Sequence, residues 1–140
     1  MVARTVSLVE DGFKNHRIRV DFHANANPAI IGFPNEYSQV LLNILMNARD
    51  ALLDRKPENA RITVTISTEG GKAVVTIADN AGGIAADAIG KIFEPYFTTK
   101  GPDKGTGVGL FMSKTIIEKN MNGKLTARNT GEGAEFRIEV

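Results

Sequence analysis

One segment, NEYSQVLLNILMNARDALLD at residues 35–54, constrains the fold most because it predicts a long helix with two distinct faces. Its apolar residues recur at helical spacing and form a stripe suited to packing on a sheet: Val40, Leu41, Ile44, Leu45, Ala48 and Leu52. Asn43, Asn47 and Asp50 recur on another face. Asparagine is a mediocre helix former. Two interpretations of this face are therefore open, a solvated polar surface or a line of oxygen ligands for a hard cation such as Mg²⁺.

Composition limits the class of protein. The chain has 140 residues, enough for one domain with a substantial core, and its hydrophobic content of 42% is ordinary for a globular protein. The net charge of +1 favours neither a nucleic-acid nor a membrane partner, and the absence of cysteine excludes disulfides and thiolate metal sites. No apolar run approaches the roughly 18 residues of a membrane helix, and the N-terminus lacks a signal-peptide pattern. We expect a soluble chain, which is compatible with a piece of a longer protein.

The segment before the amphipathic helix contains one clear strand. Residues 1–14 look like the end of a helix or a linker, with Gly12 as a break. Residues 16–23 alternate strictly between apolar and polar side chains, which predicts a half-buried strand. No nearby residue pairs with His16 or His23 as a metal ligand or a catalytic base, so we interpret both as surface residues.

A hairpin is predicted after the amphipathic helix. We expect Asn35 to cap the start of that helix and Pro57 to end it. Residues 62–67 and 74–78 then alternate as strands do, and Gly70-Gly71 between them is a typical hairpin turn.

The remaining elements indicate the fold class. Residues 87–93 predict a short helix, and residues 105–123 predict a long helix that opens at a glycine-rich turn and closes at Gly123. Strands are expected around Leu125 and over residues 134–140. Hairpin-paired strands with helices inserted between them indicate an α+β fold. We expect a two-layer sandwich, with a mixed sheet of about five strands covered by about three helices.

Asp79 is a carboxylate at the end of a predicted strand, followed by the glycine-rich turn at residues 80–83. Glycine lets a ligand approach the backbone closely. A carboxylate here is able to accept a hydrogen bond from an exocyclic amine, while Ile84 offers an apolar wall to a flat ring. Because Asp-Asn-x-Gly is also an ordinary turn sequence, the interpretations as a turn and as a ligand site are both open.

Two further motifs lie between this turn and the second long helix. The sequence FEPYFTTK at residues 93–100 fits a mobile lid anchored by Phe93 and Phe97, with Lys100 free to reach a phosphate, and it fits an ordinary surface loop equally. The sequence GTGVGL at residues 105–110 opens a helix, where free N–H groups and the helix dipole favour anions. Its spacing is neither the dinucleotide fingerprint nor the P-loop pattern.

Taken together and in this order, the four motifs resemble the catalytic, ATP-binding domain of bacterial sensor histidine kinases. They look like the N box, first glycine box, F box and second glycine box of that family, whose superfamily includes gyrase B, the Hsp90 chaperones and MutL. The resemblance covers the chain from about His16 to Val140, and residues 131–136 look like a degenerate further glycine box. It implies the Bergerat fold with an ATP lid, and the F box is similar to that of nitrogen-regulation kinases.

The resemblance also implies roles for individual residues. Asn47 matches the amide that ligates Mg²⁺ bridging the ATP phosphates. Asn43 matches a position where the superfamily's ATPases have a glutamate as general base, and since an amide does not accept a proton, rapid hydrolysis is not expected. Asp79 matches the carboxylate that receives the adenine amine, with Gly83 giving the ring its place and Ile84 as its wall.

The lid and the phosphate turn complete the ATP site that the resemblance implies. Phe93 anchors the lid, and Lys100 lies within it. The positions that match the phosphate-facing turn are Gly105, Thr106, Gly107, Val108, Gly109 and Leu110.

Three positions depart from the family pattern. Ala81 replaces the first glycine of the first glycine box, and Ala134 stands where a threonine often supports the adenine site. With either alanine, ATP binding is still expected, with an altered affinity. Asp50 stands where many relatives have a lysine near the phosphates, and Lys100 or Lys104 is a candidate substitute.

The histidine that this family phosphorylates lies on a helical hairpin that precedes the ATP domain and dimerises the protein. We see no such hairpin here, and neither His16 nor His23 resembles the phosphoacceptor. We therefore interpret residues 1–14 as a remnant of a linker or helix from an upstream dimerisation domain, and residues 15–140 as the ATP-binding domain.

The resemblance then implies a function and a set of partners. The chain is expected to be monomeric and cytoplasmic, to bind Mg-ATP, and to phosphorylate a separate histidine-containing dimerisation domain that serves a response regulator. No contact with nucleic acid or membrane is expected. Two alternatives stay open: a non-catalytic ATP-binding regulatory module, and a kinase of the anti-sigma-factor type that acts on serine.

Overall fold

The computed structural model describes residues 2–25, 34–95 and 109–140. Its elements in chain order are α1 (Val2–Asn15), β1 (Arg19–Ala24), α2 (Pro34–Arg55), β2 (Arg61–Glu69), β3 (Lys72–Asp79), α3 (Gly109–Thr115), a π-helical turn (Ile116–Asn120), β4 (Lys124–Asn129) and β5 (Ala134–Glu139). The strands form one sheet in the order β1-β2-β3-β5-β4, in which β1 and β2 are parallel and the other pairs antiparallel. Within the described residues, this confirms the predicted α+β sandwich, with a five-stranded mixed sheet and three helices.

The sheet buries one face under the helices. Val64, Ile77 and Phe136 are paired directly across β2, β3 and β5, and all three belong to the core that the helices cover. Alternate residues of a strand share a face, so Val75, Ile77 and Asp79 of β3 point the same way. The last residue of β3 therefore places a carboxylate at the rim of the apolar face.

Helix α2 supplies the largest part of the helical layer. Its predicted apolar stripe is buried throughout: Val40, Leu41, Ile44, Leu45, Ala48 and Leu52. The helix begins at Pro34, so Asn35 lies inside the first turn and the prediction that Asn35 caps the helix is wrong. Proline suits this position because its missing N–H has no partner in the first turn. The helix ends at Arg55 and Lys56 has a φ of 50°, which confirms that the helix stops before Pro57.

Helix α1 packs on the same core. Its buried apolar residues are Val2, Val6, Val9 and Phe13. Gly12 lies within the helix and does not break it, contrary to the prediction, since α1 continues to Asn15. The division of the chain into a linker remnant (residues 1–14) and an ATP-binding domain (residues 15–140) stays a prediction.

The first strand is shorter than the predicted range of residues 16–23, because β1 begins at Arg19. Arg17 has a φ of 60°, and the N–H of Ile18 donates to the carbonyl of Phe13 at 2.9 Å. These residues close the C-terminus of α1 and are not available to the strand. Both histidines are exposed, as predicted.

The predicted short helix at residues 87–93 is wrong, since the chain forms successive turns there. The N–H of Ala88 donates to Ala85 and that of Lys91 to Ala88, each across three residues. The hairpin between β2 and β3 is confirmed, with φ values of 57° at Gly70 and 80° at Gly71 that match a two-residue turn.

Candidate functional site

The carboxylate of Asp79 is the most buried charged group at the edge of the described sheet, with 8% of the residue exposed. Its Oδ1 atom accepts hydrogen bonds from the main-chain N–H of Ala81 at 3.0 Å and of Ala134 at 3.3 Å. Burial raises the pKa of the Asp79 carboxyl, and these two hydrogen bonds oppose the rise. No hydrogen bond from another described residue reaches Oδ2. One carboxylate oxygen is therefore held by the protein, while the other is available to a ligand.

The turn between β4 and β5 encloses Asp79 from the other side. A Cβ atom at Gly133 would lie 2.6 Å from Oδ1 of Asp79, so only glycine fits against this carboxylate. The N–H of Gly82 donates to the carbonyl of Glu132 at 3.0 Å, and the Glu132 carboxylate forms an ion pair with Arg61. The β4–β5 turn therefore packs against Asp79 at the end of β3 and is hydrogen-bonded to the glycine-rich turn that follows Asp79.

The glycine-rich turn after Asp79 is held by a side chain that sequence reasoning missed. The amide of Asn129 accepts a hydrogen bond from the N–H of Ile84 at 2.7 Å and donates one to the carbonyl of Ile84 at 2.8 Å. Gly83 has a φ of 95°, and a Cβ atom there would lie 2.9 Å from Oδ1 of Asn129. Asn129 is 45 residues from Ile84 in sequence, so no local spacing indicated the pair.

The structure accommodates both alanines that depart from the family pattern. Ala81 is 5% exposed in the hydrophobic core and is not among the described non-glycine residues with positive φ. The turn needs glycine at Gly82, with a φ of 97°, and at Gly83, and not at the preceding residue. Ala134 contributes its main-chain N–H to Asp79, which requires no hydroxyl group.

Asn43, on the polar face of α2, connects this helix to the start of α3. Its Nδ2 atom donates to Oγ of Ser113 at 3.1 Å and lies 3.5 Å from the carbonyl oxygen of Gly109. Its Oδ1 atom accepts a hydrogen bond from Gln39 at 3.0 Å. Ser113 is fully buried and donates to the carbonyl of Gly109 at 2.8 Å. The polar face therefore has a structural partner at Asn43, and Ser113 is a second residue that the sequence did not reveal.

Asn47 and Asp50 lie further along the same face. Asn47 is half-buried, and its side chain makes no hydrogen bond within the described ranges 2–25, 34–95 and 109–140. Asp50 accepts two hydrogen bonds from the guanidinium of Arg49, at 2.9 and 3.2 Å. The Asn47 amide is thus available as an oxygen ligand. Since Mg²⁺ commonly takes one or two protein oxygens together with phosphate and water oxygens, this single amide fits the ion. Within the described ranges, no cluster of three or more metal-binding side chains offers another site.

Phe93 lies between β5 and α3. Its ring packs edge-to-face on Phe136 of β5, with centroids 6.1 Å apart, and the Nζ atom of Lys114 on α3 lies 4.7 Å from its centroid. The role of Phe93 as the anchor of a lid stays a prediction. Leu110 is half-buried against the core. The remaining predicted phosphate-site and lid residues lie outside the described residues: Phe97, Lys100, Lys104, Gly105, Thr106, Gly107 and Val108.

Comparisons with known proteins identify the family and the fold of the chain. Residues 32–140 match the family model of histidine kinase-, DNA gyrase B-, and HSP90-like ATPases. The chain is 38% identical to the two-component sensor PprA of Pseudomonas aeruginosa over 139 residues, covering 96% of this chain and 15% of that protein. It is 34% identical to the sensor histidine kinase ZraS of Escherichia coli strain K12 over 139 residues, covering 99% of this chain and 29% of that protein. The structure resembles the nucleotide-free catalytic domain of histidine kinase ThkA, with a TM-score of 0.86, 28% identity, and coverage of 99% and 88% of the two chains.

The chain thus spans less than a third of the length of either curated relative. Across the part of the chain that the structure describes, no helix combines the length and apolar character needed to span a membrane.

Proposed function

Because the chain belongs to the histidine kinase-, DNA gyrase B- and HSP90-like ATPase family, as the ATP-binding domain of a sensor histidine kinase, we propose that it donates the γ-phosphoryl group of Mg-ATP to a histidine. The acceptor histidine would lie on a separate helical dimerisation domain. A response regulator would then receive the phosphoryl group from that histidine. Because ATP is available inside the cell, the domain would act in the cytoplasm.

The observation that carries this proposal is the arrangement around Asp79. One oxygen of the carboxylate is fixed by two main-chain N–H groups, and Oδ2 has no hydrogen bond from a described residue. An acceptor-only oxygen on an apolar rim suits an exocyclic amine, such as the N6 amine of adenine. Ile84, half-buried against the core beside the glycine turn, would contact the ring.

The amide face of α2 would serve the phosphates. Asn47 would hold Mg²⁺, whose role when bound is to neutralise charge on the β- and γ-phosphates. The amide of Asn43 contacts Gly109, which lies at the start of α3. The residues that precede it, 105–108, are our proposed phosphate site. Asp50 is held by Arg49, so we propose that the guanidinium of Arg49 keeps this carboxylate from repelling the phosphates.

Asn43 favours phosphoryl transfer to a protein over hydrolysis. Both polar atoms of its amide are engaged by neighbouring side chains, and an amide does not remove a proton from water. Without a general base, water attacks slowly, while a histidine positioned in line with the γ-phosphate would react through positioning and charge stabilisation.

The proposal is tested with radiolabelled ATP, Mg²⁺ and the histidine-bearing hairpin of the parent protein as a separate polypeptide. We expect label on the hairpin that is labile in acid and stable in base, at a low rate because no tether raises the effective concentration. The controls are a hairpin with its histidine replaced by alanine and the Asp79→Asn variant of the chain. Acid-stable label would instead indicate a serine kinase, label on the chain itself would contradict transfer to a separate domain, and ATP binding without transfer would indicate a non-catalytic module.

A further inference from the structure

We propose that Asn129 is a positioning residue for the nucleotide-base pocket: its side-chain amide grips the main chain of Ile84 and thereby fixes the glycine turn beside Asp79. The inference rests on the proposed function, since it assigns to Asn129 the geometry of the same ATP site. It concerns a side chain on β4, the strand at the far edge of the sheet, which no sequence motif of the site contains.

The side chain of Asn129 forms two hydrogen bonds with the main chain of Ile84. Oδ1 of Asn129 accepts from the N–H of Ile84 at 2.7 Å, and Nδ2 donates to the carbonyl of the same residue at 2.8 Å. One side-chain amide therefore satisfies both main-chain groups of one residue, as a neighbouring strand would. Both distances are in the range of well-formed hydrogen bonds.

The turn needs such an external support. Gly82 and Gly83 have φ values of 97° and 95°, and two successive glycines have more conformational freedom than any other pair. A substituent at Gly83 would meet Oδ1 of Asn129 at 2.9 Å, so the glycine makes room for the amide that restrains the turn. We infer that Gly83 serves the approach of Asn129 in addition to the approach of a ligand.

The β4–β5 turn does not need this amide for its own closure. The N–H of Thr130 donates to the carbonyl of Gly133 at 2.7 Å, and Oγ1 of Thr130 accepts from the N–H of Gly133 at 3.0 Å. Asn129 pairs through its main chain with Ala134 of β5. Its side chain is exposed, so truncation leaves no cavity in the core. The two hydrogen bonds to Ile84 therefore restrain the glycine-rich turn at residues 80–83 and are not needed to close the β4–β5 turn.

The experiment compares Asn129→Ala with Arg128→Ala, the preceding exposed residue, whose guanidinium pairs with Glu135 on the same hairpin. Amide hydrogen exchange of Ile84 in the ligand-free chain is the first readout, and calorimetric affinity for Mg-ATP and for ADP in EDTA is the second. For Asn129→Ala we expect faster exchange at Ile84 and a loss of about threefold to tenfold in affinity for both nucleotides, from the loss of two neutral hydrogen bonds. The fold-loss is expected to be equal with and without Mg²⁺, because the base is what the turn positions.

The conservative variant Asn129→Asp tests whether both hydrogen bonds are needed. It keeps an acceptor for the N–H of Ile84 but loses the donor to its carbonyl, so its nucleotide affinity should also be lower than that of the wild type. Arg128→Ala should retain the wild-type affinity and the wild-type exchange rate at Ile84.

Each outcome decides the proposal. Unchanged exchange at Ile84 in Asn129→Ala would show that the amide does not restrain the turn. Unchanged affinity would show that the contact does not position the nucleotide, and an equal loss in Arg128→Ala would show that the effect arises from any change in this hairpin. If the wild-type chain binds neither nucleotide, the proposed function fails, and the exchange measurement still reports separately on the contact between Asn129 and Ile84.

Discussion

The Oδ1 atom of Asp79 accepts a hydrogen bond of 3.3 Å from the main-chain N–H of Ala134, so the end of β3 and the start of β5 share one buried carboxylate. Asp79 lies on the same face of β3 as the buried residues Val75 and Ile77, at the rim of the core. A charge in that place raises the free energy of the ligand-free fold, because burial disfavours its ionised form. A buried charge that destabilises the ligand-free fold often marks a functional site.

Replacement of Asp79 by asparagine should separate stability from binding. The amide removes the cost of a buried charge, so we expect the ligand-free variant to melt no lower than the wild type. The variant presents a donor to the adenine amine in place of an acceptor, and ATP affinity should fall about 10- to 150-fold. Thermal melting and calorimetry on the same preparation give both values. A variant that binds ATP as tightly as the wild type would contradict the role of Asp79.

The raised pKa of Asp79 predicts opposite effects of pH on folding and binding. Above the ordinary value of 3.8, the folded state retains the Asp79 proton longer than the unfolded state, so this group's contribution to stability falls as the pH rises towards its folded pKa. ATP affinity should instead fall as the pH is lowered through the same window, because a protonated carboxyl is a poorer acceptor. Other carboxylates titrate nearby, so the measurement is the difference between wild type and Asp79→Asn at each pH. A difference in stability that does not vary with pH would contradict the raised pKa.

Gly133 and Gly131 form a matched pair for testing the packing against Asp79. A methyl group at Gly133 would lie 2.6 Å from Oδ1 of Asp79, whereas one at Gly131 meets nothing within 4 Å. We expect Gly133→Ala to destabilise the fold by about 1–3 kcal/mol through overpacking and to weaken ATP binding. Gly131→Ala should stay within about 0.5 kcal/mol of the wild type. Urea unfolding measures both, and equal effects would mean that the turn adapts without moving the carboxylate.

Asn47→Ala tests the proposed metal ligand. The side chain has no hydrogen bond to a residue in the described ranges, so its removal should change stability little. ATP affinity should fall in Mg²⁺ and stay nearly constant in EDTA, since the lost amide acts through the cation. Calorimetric titrations in the two buffers make the comparison. An equal loss in both buffers would indicate that Asn47 contacts the nucleotide directly or supports the helix.

Local periodicity was enough to predict the framework of the site. The apolar stripe of α2 and the buried positions of Val75 and Ile77 on β3 were predicted from neighbouring residues, whereas the burial of Asp79 was not predicted. The short helix at residues 87–93 was predicted from a segment that contains Gly90, and in the structure this segment forms turns. Two helix boundaries were also misplaced. Helix α1 continues past Gly12 and is followed by the left-handed residue Arg17, and α2 begins at Pro34, one residue before the predicted cap.

The long-range supports of the site had no signal in the sequence. Asn129 and Ile84, and likewise Asn43 and Ser113, meet only because the sheet order and the packing of α3 on α2 bring them together. Asparagine at a strand end and serine in a helix are each ordinary on their own. The motifs are visible in the sequence alone, whereas these long-range contacts become visible only in the fold.

The adenine site is tested by the affinity of the unmodified chain for Mg-ATP and for Mg-GTP, measured by calorimetry under one set of conditions. GTP carries a carbonyl where ATP carries the amine, and a carboxylate at Asp79 would face that carbonyl without a proton to share. We expect that ATP binds and that GTP binds at least about tenfold more weakly. Equal affinities for the two nucleotides, or no binding of ATP, would contradict an adenine site built on Asp79.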